Sequence, residues 1–180
     1  MIAAFDTNVL IWALPYGLSR ARRRKTNQNV ADMERRAKIL LTELEEKKAR
    51  IIVPLIAVGE FLVGIEQANH GAVLAEFQKR FFCPPYDLRA TVESARLEQA
   101  HKGFAPAERV ERKLVRPDAM IVASAFVHGA RTFYSHEAGV RKMATVLGMN
   151  GLDLPTHSEN IFVDHEARNQ AMDDEADGES

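Results

Sequence analysis

The chain opens on an apolar run, Ile2-Ala-Ala-Phe5, that stops at the carboxylate of Asp6 and passes at once into the polar pair Thr7-Asn8. A short continuous apolar stretch of this kind predicts a buried strand. Val9 to Leu14 predict a brief helix, ended by Pro15 and Gly17. From Leu18 to Asn29 apolar residues are few, so the segment reads as an exposed loop or mobile arm. Helical spacing resumes at Val30, with Met33, Ala37, Leu40 or Leu41, and Leu44 at steps of three and four. Glu34 with Lys38, and Glu43 with Lys47, supply charge pairs on its wet face.

The β-branched triplet Ile51-Ile-Val53, closed by Pro54, predicts a second buried strand. A helix over Ala57 to Ala68 follows, broken at Gly71, and another over Val73 to Phe82 stops before Cys83-Pro84-Pro85. Asp87 is placed to cap a helix running to about Lys102, and Gly103 and Pro106 separate it from a weaker helical run, Ala107 to Leu114. Pro117 suits the first position of a helix over Asp118 to Val127, which turns Ala119, Val122, Ala123 and Phe126 inward and ends at Gly129. Thr132-Phe-Tyr134 is a third strand, followed directly by Ser135, His136 and Glu137 and then by a helix carrying Val140, Met143, Ala144 and Leu147. Short strand signals remain at Leu152 to Leu154 and Ile161 to Val163. Strands alternating with helices imply an α/β fold, a three-layer α/β/α sandwich around a central parallel sheet.

Composition narrows this reading. With 180 residues, 46% of them hydrophobic, the chain can bury a sizeable core, and we expect one domain over residues 1–164 with a disordered acidic tail over 165–180. Lys and Arg (24) nearly cancel Asp and Glu (25), so net charge gives no sign of a polyanionic partner. Local charge is uneven: Arg20, Arg22, Arg23, Arg24 and Lys25 form a basic run, and Asp173, Asp174, Glu175, Asp177 and Glu179 fill the tail. The basic run is a candidate grip for phosphates or a solvated loop balancing that tail. The single cysteine, Cys83, excludes an internal disulfide and fits a reducing compartment. Asp6 and Asn8 interrupt what a signal peptide would need, and the stretch from Ile51 to Ile65 contains Pro54 and Glu60 and is too short for a bilayer. A cytoplasmic protein without membrane contact is expected.

In a parallel sheet the strand ends and the helix starts that follow them share one edge, which is where ligands bind. Asp6, Glu60, Asp118 and Glu137 all fall at such places and are the candidate catalytic acids. Each has an ordinary alternative: Asp6 as a helix cap, Glu60 on an exposed helix face, Asp118 and Glu137 as first-turn acids. Together they would repel unless a hard cation such as Mg²⁺ or Mn²⁺ held them.

Three segments carry a resemblance: Phe5-Asp6-Thr7-Asn8-Val9-Leu10, Pro54-Leu-Ile-Ala-Val-Gly-Glu60-Phe-Leu-Val-Gly64, and Pro117-Asp118-Ala-Met-Ile-Val-Ala123-Ser-Ala125. In this order and spacing the chain resembles the PIN-domain ribonucleases, including the VapC-type toxins of bacterial toxin–antitoxin pairs. The resemblance implies a PIN-like fold, metal-dependent endoribonuclease activity, and Asp6, Glu60 and Asp118 as metal-binding acids with Asn8 or Thr7 as a polar helper. It also implies RNA as substrate, a homodimer, and an antitoxin partner that inserts into the acidic groove. The family usually has a polar residue followed two positions later by Asp where this chain has Ser135-His136-Glu137, so Glu137 keeps the charge with an added methylene. Alternatives are an RNA-processing nuclease with no antitoxin, or a degenerate fold that only binds RNA or protein. An aspartyl-nucleophile phosphatase is disfavoured, because Asn8 stands where its second Asp would be needed.

Overall fold

A computed structural model of the chain describes residues 1–15, 28–106 and 115–155. The basic run Arg20 to Lys25, the helical run at 107–114, the strand signal at 161–163 and the acidic tail lie outside the described residues. The elements are β1 (Ile2–Phe5), α1 (Thr7–Ala13), α2 (Gln28–Glu46), β2 (Arg50–Ile52), α3 (Leu55–Val63), a 3-10 turn (Gln67–Asn69), α4 (His70–Arg80), α5 (Leu88–His101), α6 (Val115–Val127), β3 (Thr132–Tyr134), α7 (Ala138–Val146) and β4 (Asn150–Leu152).

All strand pairs are parallel, and the sheet order is β2-β1-β3-β4. Neighbouring side chains on a strand point to opposite faces, yet Ala3, Ala4 and Phe5 are all fully buried. The central strand is therefore covered by helices on both sides, the α/β/α layering that strand and helix alternation predicts. The chain moves from β1 to β2 in one direction along the sheet, then to β3 and β4 in the other. Right-handed crossovers put α1 and α2 on one face and α5, α6 and α7 on the other. Consistent with this, α1 packs on α2 and α3, while α6 packs on α5 and α7. The direction of travel reverses between β1 and β3, so a crevice opens there at the carboxyl edge.

The differences from the periodicity reading have local causes. Helix α1 begins at Thr7 rather than Val9, because the Asp6 carboxylate accepts the Thr7 N–H and caps the turn. Strand β2 sits one residue earlier than Ile51 to Val53, and Val53 instead donates its N–H to the Phe82 carbonyl, which covers the outer edge of β2. The helix expected over 57–68 stops at Val63 with Gly64 as its cap, and Gly71 is the second residue of α4 rather than a break. Pro117 is the third residue of α6, still in the first turn, where its missing N–H has no helical partner to lose. Strand β4 covers Asn150 to Leu152, earlier than the predicted Leu152 to Leu154, and Leu154 enters the core as a buried loop residue. Asp87 caps α5 as expected, accepting the Ala90 N–H at 2.9 Å. The core faces of α2 and α7 are those the spacing assigns: Ala37, Leu40, Leu41, Leu44, Val140, Met143, Ala144 and Leu147 are buried. The pairs Lys38 with Glu34 and Lys47 with Glu43 form at 3.9 and 3.7 Å, exposed enough to contribute only a few tenths of a kcal/mol, roughly. Among the described residues no helix is long and apolar enough to cross a membrane.

Gly151 in β4 lies directly against the backbone of Arg141 in α7, with no room for a Cβ. Gly151→Ala is expected to lower stability by about 1–3 kcal/mol, because backbone must shift to admit the methyl group. Gly59→Ala, on an open helical surface, is expected to be neutral or to gain about 0.5–1 kcal/mol. Urea denaturation of the two variants measures the contrast.

Candidate active site

The register of β1 and β3 builds the centre of the site. Phe5 pairs with Tyr134, so the next residues, Asp6 and Ser135, lie side by side at the carboxyl edge. The ladder bonding continues through them: Asp6 N–H donates to the Tyr134 carbonyl and Ser135 N–H to the Leu152 carbonyl, each at 3.0 Å. Asp6 is 4% exposed. One carboxylate oxygen, Oδ1, accepts the Thr7 N–H at 2.7 Å and the other, Oδ2, accepts the Ser135 hydroxyl at 2.8 Å. Burial pushes its pKa up to about 6; the Ser135 hydroxyl and the Thr7 N–H work against this, and the charges of Glu137 and Glu60 add to it.

Asp118 arrives from the first turn of α6, where the helix dipole favours its charge. Burial nevertheless dominates and, with Asp6, Glu137 and Glu60 nearby, pushes its pKa up to about 8. Its Oδ2 is buried with no hydrogen-bond partner. A buried carboxylate oxygen left unsatisfied is costly, and a cation is one way to satisfy it.

The two glutamates lie near this pair and both are tied to the start of α1. Thr7 Oγ1 donates to Glu60 Oε2 at 2.6 Å, and Asn8 Nδ2 donates to Glu137 Oε1 at 2.8 Å. The sequence left Thr7 and Asn8 as alternatives for one polar role; the structure gives each its own acid. Glu60 lies on an exposed face of α3 although its neighbours in sequence are apolar. Glu137 precedes α7, half-buried, and its own N–H donates to Ser135 Oγ at 3.1 Å. The structure thus brings Asp6, Glu60, Asp118, Glu137, Thr7, Asn8 and Ser135 together, while Arg20, Arg22, Arg23, Arg24 and Lys25 lie outside the described residues.

Among the described residues no three His, Cys, Asp or Glu side chains are set as a ready cage for a metal ion. Thr7 and Asn8 draw the two glutamates toward α1, leaving Asp6 and Asp118 as the inner pair. Such an arrangement fits Mg²⁺, which is commonly held by one or two carboxylates and keeps several waters.

A supporting layer was not visible in the sequence. Arg141 Nη1 donates to the carbonyls of Ser135 at 3.0 Å and His136 at 2.6 Å, bracing the loop that carries Glu137. Asp153, just past β4, forms an ion pair with Arg141 at 3.2 Å and its Oδ1 lies 3.2 Å from His136 Nδ1. Arg36 of α2 is buried and donates to the Leu154 and Pro155 carbonyls, anchoring the chain beyond Asp153. Arg141 stands one helical turn after Glu137, a spacing visible in the sequence, but its carbonyl targets are set by how the loop folds back.

No family model and no curated protein matches the chain. Among solved structures, it is similar to a chain of VapBC2 from Rickettsia felis bound to a DNA fragment from their promoter, with 17% identity, a TM-score of 0.49, and coverage of 79% of this chain and 93% of that one. It is also similar to a chain of a toxin–antitoxin complex from Klebsiella pneumoniae, with 22% identity, a TM-score of 0.46, and coverage of 74% of this chain and 85% of that one.

The raised pKa values fix a pH dependence. An acid whose folded pKa exceeds its unfolded value, near 3.9 for Asp, holds more protons folded than unfolded, so stability falls as pH rises between the two values. For Asp6 that window runs from about 4 to about 6, and for Asp118 from about 4 to about 8. Thermal denaturation in EDTA is expected to show a falling Tm across this range, and Asp118→Asn is expected to flatten the upper part of the slope.

Proposed function

We propose that this protein is a divalent-cation-dependent PIN-type endoribonuclease acting as the toxin of a toxin–antitoxin pair in the cytoplasm. The observation that supports it is the pairing of buried Asp6 with half-buried Asp118, whose Oδ2 is buried without a partner, flanked by Glu60 and Glu137, at the point where the sheet order reverses. Structural acids seldom gather this way, since each raises the pKa of its neighbours without contributing to packing. Asp6 and Asp118 would hold Mg²⁺ or Mn²⁺, with Glu60 and Glu137 within reach of its waters. Bound there, the ion supplies an activated water and offsets charge growing on the scissile phosphate.

The chain's own groups do the rest. Ser135 and the Thr7 N–H fix the orientation of the Asp6 carboxylate, so little reorganisation is left for the reaction. Asn8 holds one oxygen of Glu137 and Thr7 one oxygen of Glu60, each acid keeping a second oxygen to offer a water as base. RNA rather than DNA as substrate rests on the resemblance of the three sequence motifs, because carboxylates of this kind serve either. A homodimer and an antitoxin partner are part of the same proposal. A protein partner has apolar surface to meet: Leu55 and Val63, on the same helix as Glu60, are 46% and 88% exposed.

Purified protein is expected to cut RNA with Mg²⁺ or Mn²⁺ and to lose that activity in EDTA. Asp6→Asn and Asp118→Asn are each expected to slow cleavage by about a hundredfold or more and to weaken Mn²⁺ binding in a calorimeter, with the fold retained. Variants that cut as fast as wild type would remove the assignment of these acids, and a protein that takes up no Mn²⁺ would be a binding module instead.

A further inference from the structure

Helix α1 runs along the loop that carries Glu137 and meets it twice. Asn8 donates to Glu137, and Trp12, one turn further on the same face, meets the ring of His136. The two rings are nearly perpendicular, 73° apart in plane, with centroids 5.8 Å apart. An edge-to-face pair of this kind uses only one face of one ring. The His136 side chain remains 44% exposed, and its Nδ1, 3.2 Å from Asp153 Oδ1, fixes the orientation of the imidazole. Asp153 is itself held by Arg141, so the ring stands on a braced support rather than on a mobile loop. A partly exposed tryptophan beside an exposed, oriented histidine, one residue from a candidate catalytic acid, has no role in the chemistry derived above.

We propose that Trp12 and His136 form a stacking platform for one unpaired nucleobase next to the carboxylate cluster, a proposal that rests on the nuclease reading of that cluster. A base can lie on an aromatic face only when it is out of a duplex, and stacking is tolerant of base identity because every base has a π-face. The platform therefore selects single-stranded or looped RNA over paired RNA and sets which nucleotide flanks the phosphate at the acids. Its ligand contacts are to the base, whereas those of the acid cluster are to the phosphate, so the two can be tested apart.

Trp12 is the only tryptophan in the chain, so intrinsic emission reports on this position alone. In EDTA, where no cleavage occurs, a short labelled single-stranded oligoribonucleotide is expected to bind by anisotropy and to change Trp12 emission, and a blunt duplex of the same sequence to leave emission unchanged. His136→Ala and Trp12→Leu are each expected to raise the Kd for the single strand about tenfold, with Trp12→Phe restoring most of it. In cleavage assays with Mn²⁺ both variants are expected to raise KM more than they lower kcat. Binding of the single strand with unchanged Trp12 emission, an equal response to duplex, or wild-type affinity in both variants would each overturn the platform. His136→Ala, at an exposed position, and the wild-type emission still decide the matter if Trp12→Leu fails to fold. Cleavage by wild-type protein is scored separately: cleavage without the emission change removes the platform alone, and the emission change without cleavage removes the nuclease reading alone.

Discussion

The end of β1 is where the structure buries a carboxylate, and most of the site can be understood as a response to it. Asp6 is buried, its backbone is locked into the sheet, and both of its oxygens are already committed to donors. Those donors lower its pKa but do not overcome burial, so it stays raised. Asp118 stands beside it in a still less favourable state, with an oxygen that has no partner at all. A fold built only for stability would replace such a pair with apolar or neutral groups. Such a pair at the carboxyl edge of the sheet marks a candidate functional site rather than a packing device.

The surrounding layers limit how far this strain spreads. Thr7 and Asn8, the first two residues of α1, each take one glutamate and hold it at the margin of the inner pair. One short helix thereby organises both sides of the site, with Asp6 as its cap and Trp12 at its far end. On the β3 side Arg141 donates to two consecutive carbonyls, and Asp153 and Arg36 extend the brace to the chain leaving β4. Charge of both signs is used here for position: the cations grip backbone oxygens of the loop and leave the acid cluster without an ion-pair partner among the described residues.

Glu137, where the PIN-domain pattern that the sequence resembles has Asp, acquires a physical meaning in this arrangement. The longer side chain of Glu137 reaches the Asn8 amide across the crevice while its own N–H is satisfied by Ser135. Ser135 in turn donates to Asp6, so one hydroxyl links the inner acid to the loop of the outer one. Any change in that loop is therefore felt at Asp6 through a single hydrogen bond.

Local pattern was enough to read the alternation of strands and helices, the core faces of α2 and α7, the cap at Asp87 and the location of Asp6, Glu60, Asp118 and Glu137 near strand ends and helix starts, because periodicity and helix-start chemistry act over a few residues. Boundaries near Gly64, Gly71 and Pro117 were misplaced for the same reason: whether a glycine or proline ends a helix depends on what packs against the turn. That Thr7 and Asn8 each hold a different acid, that Asp118 Oδ2 is left without a partner, and that Arg141, Asp153 and Arg36 brace the site were decided only by the tertiary structure. Those facts depend on the parallel register that sets Asp6 beside Ser135 and on crossovers that bring residues 129 apart in sequence into hydrogen-bond contact. Sequence can name the charges, but only the assembled sheet determines which of them must share one crevice.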